Sequence, residues 1–98
     1  MLENQFQSDL VKELKRIFRG CMVLKNDEAY MPGIPDLLVL YQNHWAALEC
    51  KKSQFARKRP NQGYYIDMLN TMSFAAFIYP ENKEAVLDEL QFAFGTRR

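Results

Sequence analysis

Two apolar runs joined by a short polar segment constrain the fold of this chain more than any other feature. Residues 36–41 and 45–51 are rich in Leu, Val and Ala, and Gln42-Asn43-His44 between them has the composition of a tight turn. Apolar runs of this length, separated by so few polar residues, are typical of a β-hairpin. We therefore expect two adjacent antiparallel strands at the centre of the chain.

The segments on either side of the hairpin predict three helices and two further strands. Apolar residues recur at helical spacing over residues 2–18 and 60–71, and again after Asn82, which is suited to capping a last helix that ends at Gly95. Short apolar runs at residues 21–24 and 74–79 predict strands, the second of them buried on both sides. The order α-β-β-β-α-β-α predicts an α/β fold in which helices flank a mixed central β-sheet.

Length and composition restrict the class of protein. A chain of 98 residues forms one core, so we expect a single domain over residues 1–98. No apolar run approaches the roughly 20 residues that cross a membrane, and the first residues lack a basic and apolar leader, so we expect a cytoplasmic protein. With one histidine and two cysteines that form no CxxC pair, an ordinary zinc site is excluded within one chain. Any metal must therefore be held by oxygen.

Three charged residues of the predicted hairpin fall close together. Glu49 and Lys51 are two residues apart in a strand, so they project from the same face. The short turn makes Asp36 the cross-strand neighbour of Glu49. Two carboxylates at this separation repel each other unless a cation lies between them, and oxygen ligands suit Mg²⁺ or Mn²⁺. The pattern predicts a divalent metal site.

A third acid extends this prediction. At about 100° per residue, Glu3 falls within the apolar stripe of the first helix that begins at Phe6, an unusual place for a carboxylate. Its alternative role is to complement the positive end of the helix dipole. Taken singly, Asp36 and Glu49 also resemble solvated or hydrogen-bonded structural residues. The combination of these acids with Lys51 is what indicates a metal site.

These residues carry a resemblance to a known family. Gly33-Ile34-Pro35-Asp36, an apolar strand and then Glu49-Cys50-Lys51 resemble the core motif of the PD-(D/E)xK nucleases, and within that superfamily the VRR-NUC family with its small stand-alone phage and bacterial members. Glu3 in the first helix and Gln62 after a basic loop extend the resemblance over nearly the whole chain. Residues 56–61 depart from it, because they are more basic than the family's Gly- and Ser-rich segment. The resemblance implies a restriction-endonuclease-like core.

The resemblance also implies roles for the residues. Asp36 and Glu49 are expected to bind Mg²⁺, with the backbone carbonyl of Cys50 as a further ligand and Glu3 joining directly or through water. Lys51 would orient or help to deprotonate the attacking water and offset charge on the scissile phosphate. Gln62 would position the water or the phosphate. The implied reaction is hydrolysis of a DNA phosphodiester to 5′-phosphate and 3′-hydroxyl ends.

Basic residues cluster directly after the Glu-x-Lys motif. The segment 51–60 carries five basic residues and no acidic residue. Its position directly after the metal-binding motif is where a DNA backbone must run to reach the metal. Its alternative role is a solubilising surface loop. Tyrosines 64 and 65 are expected to pack or to stack on a base, and His44 to be structural. The expected phosphate contacts beside the catalytic Lys51 are Lys25, Lys52, Arg57, Lys58 and Arg59.

The family and the size of the chain predict a homodimer. One active site cuts one strand, so cutting a four-way junction needs two copies, and the leading substrate is branched, Holliday-junction-like DNA. Flaps, splayed arms, nicked duplex and RNA stay open as substrates. Phe55, Phe92 and Phe94 are candidates for the dimer surface. The alternative of another class is a DNA-binding module of the same fold that does not cleave.

Overall fold

A computed structural model describes residues 2–96 of the chain. It contains three helices and four strands in the predicted order. None of the helices in this range is long and apolar enough to cross a membrane. The elements are α1 (Glu3–Ile17), β1 (Met22–Lys25), β2 (Leu37–Tyr41), β3 (His44–Cys50), α2 (Pro60–Met72), β4 (Phe74–Ile78) and α3 (Lys83–Ala93).

The four strands form one mixed sheet in the order β1-β2-β3-β4. The β1–β2 and β2–β3 pairs are antiparallel, and α2 carries the chain across so that β4 lies parallel to β3. The predicted hairpin is confirmed, with Tyr41 opposite His44 and Gln42 at a φ of 55° in the turn. The expectation that His44 belongs to the turn is wrong. His44 is the first residue of β3, and its ring stacks on Phe94 at a centroid distance of 5.4 Å.

Helices cover both faces of the sheet, because residues along each strand alternate between the faces. On one face, α1 and α3 bury the larger apolar core with residues such as Leu37, Val39 and Leu48. On the other face, α2 packs through Ile66 on a smaller cluster that includes Ala47. By the same alternation, the charged residues of the predicted site lie on this second face, so α2 is the helix that contacts them.

Several local expectations differ from the structure. Phe94 is buried against Phe18 and Tyr41, so it is not available to a dimer surface, whereas Phe55 and Phe92 are exposed. Strand β4 is only partly buried, because no strand of residues 2–96 lies along its far edge. Asn82 precedes α3 but does not cap it through its side chain. Its amide instead accepts from the Tyr79 N–H and donates to the Phe77 carbonyl.

Candidate active site

Three polar side chains are buried where β3 ends against the start of α2. Glu49 is 3 % exposed, Lys51 7 % and Gln62 4 %. Charged side chains are almost never buried to this extent unless they are paired or hydrogen-bonded. Each of the three has a partner, and the partners are one another and Asp36. The predicted strand parity is therefore confirmed, with Glu49 and Lys51 on the face that α2 covers.

Asp36 and Glu49 are held together by the backbones of their strands. The register of β2 and β3, continued one residue beyond Leu37 and Leu48, sets Asp36 opposite Glu49. The Asp36 N–H donates to Glu49 Oε1 at 3.2 Å, and the Cys50 N–H donates to Asp36 Oδ2 at 2.9 Å. Each carboxylate is thus fixed by a main-chain donor beside the other, and the predicted pairing of these two acids is confirmed.

Gln62 connects the acid to the base. Its Nε2 donates to Glu49 Oε2 at 3.0 Å, and its Oε1 accepts from Lys51 Nζ at 2.9 Å. The same Oε1 also accepts from the Arg59 N–H at 3.0 Å. This is a helix-capping contact, in which the side chain of the third helical residue bonds to the N–H of the residue just before the helix. Lys51 Nζ lies 3.7 Å from Glu49 Oε2. The start of α2 therefore places the amide between the carboxylate and the ammonium.

Both carboxyl groups are more basic than usual. The pKa of Glu49 is raised to about 7. Burial is the largest cause, and the nearby Asp36 carboxylate adds to it by more than the ammonium of Lys51 takes away. Burial also raises the pKa of Asp36, against the opposing effect of the Cys50 N–H that it accepts. Two adjacent acids that are costly to ionise together are stabilised in their ionised forms by a cation. The electrostatics of the pair therefore favour cation binding.

The backbone carbonyl oxygen of Cys50, next to Glu49, has no hydrogen-bond donor in the neighbouring strand. The register continued by one more residue sets Cys50 opposite Pro35, which has no N–H to donate. The N–H of Lys51 bonds to Ile78 in β4, so the N–H and carbonyl of Cys50 face the β2 side. The Cys50 N–H bonds there to Asp36, and the proline leaves the carbonyl without a ladder donor. The Cys50 carbonyl therefore lies on the side of β3 from which Asp36 is bound.

The carboxylate pair forms the floor of an open cleft of about 370 Å³. Glu3 lines this cleft from the start of α1, where it is exposed and not buried with the apolar stripe of the helix. Within residues 2–96, no three His, Cys, Asp or Glu side chains are close enough to hold a metal ion. Glu3 raises the pKa of Glu49 less than Asp36 does, as expected of the more distant carboxylate.

The residues expected to contact phosphates lie in different places. Arg57 and Arg59 line the cleft. Lys52, and Lys25 at the end of β1, are exposed and lie outside the lining of the cleft. Lys58 turns away, because its ammonium lies over the rings of Phe77 at 4.7 Å and Tyr79 at 5.6 Å. The structure therefore brings Arg57 and Arg59 to the cleft and packs Lys58 on β4, and contact of these residues with DNA stays a prediction.

Sequence reasoning did not find Glu28. This acid lies between β1 and β2, lines the cleft and forms an ion pair with Arg59. The same loop, residues 26–34, is tied to α2 a second time, because Asn61 Nδ2 donates to the Pro32 carbonyl at 3.1 Å. No periodicity marks an acid in an irregular loop whose partner lies some 30 residues away, so the sequence carried no signal for it.

Comparisons of the chain with protein-family models, with curated proteins and with solved structures find no match. The resemblance to the VRR-NUC family therefore stays a prediction, based on Gly33-Ile34-Pro35-Asp36 and Glu49-Cys50-Lys51 together with Glu3 and Gln62.

Proposed function

We propose that the protein is a metal-dependent endonuclease with a restriction-endonuclease-like core, which hydrolyses phosphodiester bonds in DNA. The observation that carries the proposal is the arrangement of Glu49, which accepts from the Asp36 N–H on one side and from Gln62 beside Lys51 on the other. A pair of acids next to a buried lysine, open to a cleft with two arginines, suits an anionic substrate that is attacked with the help of a cation.

The donor set at the site suits Mg²⁺, with Mn²⁺ as a substitute. Asp36 and Glu49 would hold the ion with the Cys50 carbonyl, and Glu3 would join through water. Hard divalent cations take oxygen ligands of this kind, and Mg²⁺ commonly retains several waters beside one or two carboxylates. When bound, such an ion supplies Lewis-acid stabilisation of the phosphate and lowers the pKa of water.

The remaining chemistry belongs to the side chains. Lys51 would orient the attacking water and offset the negative charge that develops on the phosphate. Gln62 is a positioning residue, because it holds the ammonium of Lys51 and the carboxylate of Glu49 at once. The water oxygen bonds to phosphorus as the bond to the 3′ oxygen breaks, which leaves 5′-phosphate and 3′-hydroxyl ends. Arg57 and Arg59 would hold neighbouring phosphates.

The proposed substrate is branched DNA of the Holliday-junction type, cut by a homodimer. One cleft of this size serves one phosphodiester, so paired cuts in a junction require two copies related by two-fold symmetry. Phe55 and Phe92 are the exposed members of the residues considered for the dimer surface. Light scattering coupled to size exclusion should give twice the mass of the chain at micromolar concentration. A monomer there would exclude the dimer.

The alternative is a DNA-binding module of this fold that does not cleave. Arg57 and Arg59 at the cleft favour DNA binding under either hypothesis. The carboxylate pair distinguishes them, since two acids beside a phosphate weaken binding unless a metal is present.

A cleavage panel tests the proposal. Labelled four-way junction, splayed-arm, flap, nicked and linear duplex DNA, with matched RNA, are incubated with Mg²⁺, Mn²⁺ or EDTA and with wild type, Lys51→Ala or Lys52→Ala. We expect metal-dependent cutting of branched DNA that Lys51→Ala reduces by about 10²–10⁴-fold and that the exposed neighbour Lys52 hardly affects. Binding without cutting in every metal would establish the binding module, and cutting of RNA alone would replace the substrate.

A further inference from the structure

A second cavity lies beside the cleft, on the same face of the sheet. It has a volume of about 320 Å³ and opens between the sheet, α2 and the 26–34 loop. We name it the Trp45 pocket after the only tryptophan of the chain. Its apolar wall is formed by Tyr30, Met31, Leu38, Trp45 and Leu69.

The position of this pocket relative to the carboxylate pair follows from strand geometry. Leu38 is two residues beyond Asp36, and Ala47, also in the lining, is two residues before Glu49, so all four share one face of the hairpin. Two residues of extended chain span ~7 Å. In a nucleic-acid strand, which rises about 3.4 Å per nucleotide in the duplex, that distance is one or two nucleotides.

The 26–34 loop joins the two cavities. Its Glu28 lines the cleft, and its Tyr30 and Met31 line the pocket. The loop is fixed at its start by Asn26, whose Nδ2 donates to the Pro35 carbonyl at 2.8 Å and whose N–H donates to the Asp36 carbonyl at 2.9 Å. A phosphate in the cleft and a group in the pocket therefore contact one continuous wall.

The chemistry of the pocket suits a flat, polar-edged ring. Tyr30 is 82 % exposed and Trp45 is partly exposed, and aromatic faces of this kind stack on unpaired bases. Asn26 and Asp27 add an amide and a carboxylate to the lining. The Asn26 amide oxygen, and the Asp27 oxygen that does not accept from the Ala29 N–H, would accept hydrogen bonds from the exocyclic amino groups of adenine, cytosine or guanine, which thymine lacks. The volume lies near the lower end of the ~300–1,000 Å³ range of small-molecule sites, as one base requires.

We propose that the Trp45 pocket binds one unpaired nucleobase, one or two nucleotides from the phosphodiester in the cleft. This inference rests on the proposed function and narrows its substrate to DNA with an unstacked base beside the cut. A base in a continuous duplex stays stacked and paired, so it enters the pocket only if it is turned out of the helix. Flaps and splayed arms present such bases without that cost, and a four-way junction presents one where a base pair opens at its branch point.

Trp45 makes the pocket directly observable. Tryptophan emission is followed while wild-type protein in EDTA, at low salt, is titrated with a single-stranded oligomer of deoxyadenosine. The matched ligand is an abasic oligomer of equal length and charge. We expect the adenine oligomer to quench Trp45 and to bind more tightly than the abasic one. Equal emission and equal affinity for the two oligomers would overturn the proposal.

Two exposed residues serve as variant and control. Tyr30→Ala removes a wall of the pocket, and we expect it to weaken binding of the adenine oligomer by about tenfold and to leave binding of the abasic oligomer unchanged. Met72→Ala removes a side chain that is 62 % exposed and lies outside the pocket, and we expect wild-type affinity. An equal loss in Met72→Ala, or no loss in Tyr30→Ala, would contradict the assignment.

Other outcomes separate this inference from the proposed function. A change in Trp45 emission with protein concentration alone would show that a second copy covers the pocket, which overturns base binding. Cleavage of branched DNA that is unaffected by Tyr30→Ala and by abasic sites beside the cut would overturn base binding by the pocket. The proposed nuclease function would then still stand. Absence of both cleavage and binding for every DNA would refute the proposed function itself.

Discussion

The backbone N–H of Asp36 donates to the side chain of Glu49 at 3.2 Å, so one acid of the site helps to orient the other. A reciprocal contact comes from the N–H of Cys50 to Asp36 Oδ2 at 2.9 Å. Both carboxylates are therefore positioned by the hairpin itself, before any ligand is bound. Such preorganisation is what a metal or phosphate site requires, because little reordering is then needed on binding.

The raised pKa of Glu49 predicts a pH-dependent stability. A carboxyl group whose pKa is higher in the folded state stabilises the fold while it is protonated, and this stability is lost as pH rises through the folded pKa. For Glu49 the window runs from the ordinary value of 4.5 to about 7, and at about 1.4 kcal/mol per pKa unit the loss is on the order of 3 kcal/mol. Chemical denaturation in EDTA across this window measures it.

Glu49→Gln is the matched control for that measurement. The amide cannot ionise, so we expect the free energy of unfolding of the variant to fall much less than that of wild type across the window. Above pH 7, Mg²⁺ should raise the stability of wild type and have little effect on the variant. A wild-type stability that increases from pH 4.5 to 7 relative to Glu49→Gln would contradict the electrostatic description of the pair.

Truncation of Gln62 should lower the stability of the fold. Gln62→Ala leaves the buried Glu49 carboxylate and the Lys51 ammonium without their shared partner, and we expect a loss of at least about 2 kcal/mol in the free energy of unfolding. The neighbouring Asn61→Ala removes one exposed contact and should cost under about 1 kcal/mol. Urea denaturation compares the two. Equal losses would show that the buried network adds nothing.

Arg57 and Lys58 should behave differently although they are adjacent. Arg57 lines the cleft, so Arg57→Ala should weaken DNA binding and reduce the slope of log affinity against log salt by about 0.9. The ammonium of Lys58 lies over Phe77, so Lys58→Ala should leave that slope unchanged and lower stability by about 0.5–1 kcal/mol. Fluorescence anisotropy at several salt concentrations tests this, and identical slopes for both variants would be inconsistent with the structure.

Two glycines give opposite expectations for the same substitution. Gly33 has a φ of +90°, and an added Cβ would lie 2.5 Å from Asn61 Nδ2, so Gly33→Ala should cost more than about 1 kcal/mol. Gly63 lies inside α2 with open space around it, so Gly63→Ala should stabilise by about 0.5–1 kcal/mol. Thermal denaturation of both variants tests these two expectations. A neutral Gly33→Ala would show that the loop does not need its contact with α2.

The part of the site that the sequence predicts is the part that strand geometry determines. A short turn fixes the hairpin register, and the alternation of side chains then brings Asp36, Glu49 and Lys51 to one face. The element order followed from the same periodicities, and all seven elements are present. Strand and helix periods are local properties, so they can be read from one chain.

The remainder depends on irregular segments. The ion pair of Glu28 with Arg59 and the direction of Lys58 are set by the path of two loops that have no periodicity. The Trp45 pocket likewise exists because the 26–34 loop folds back over the sheet. Phe94 directly follows α3, and its burial depends on long-range contacts with Phe18 and Tyr41. Such contacts join segments far apart in sequence and carry no local signal.

The central claim is that the Asp36 and Glu49 pair binds the metal with which the protein cleaves DNA. Its most direct test is the rate of four-way junction cleavage as a function of Mg²⁺ concentration for wild type and for Asp36→Asn, which keeps the size and shape of the side chain. We expect wild-type cleavage to saturate with Mg²⁺ and the variant to show no cleavage at any concentration while it still binds the junction. Cleavage by Asp36→Asn at the wild-type rate and with the wild-type Mg²⁺ dependence would contradict the claim.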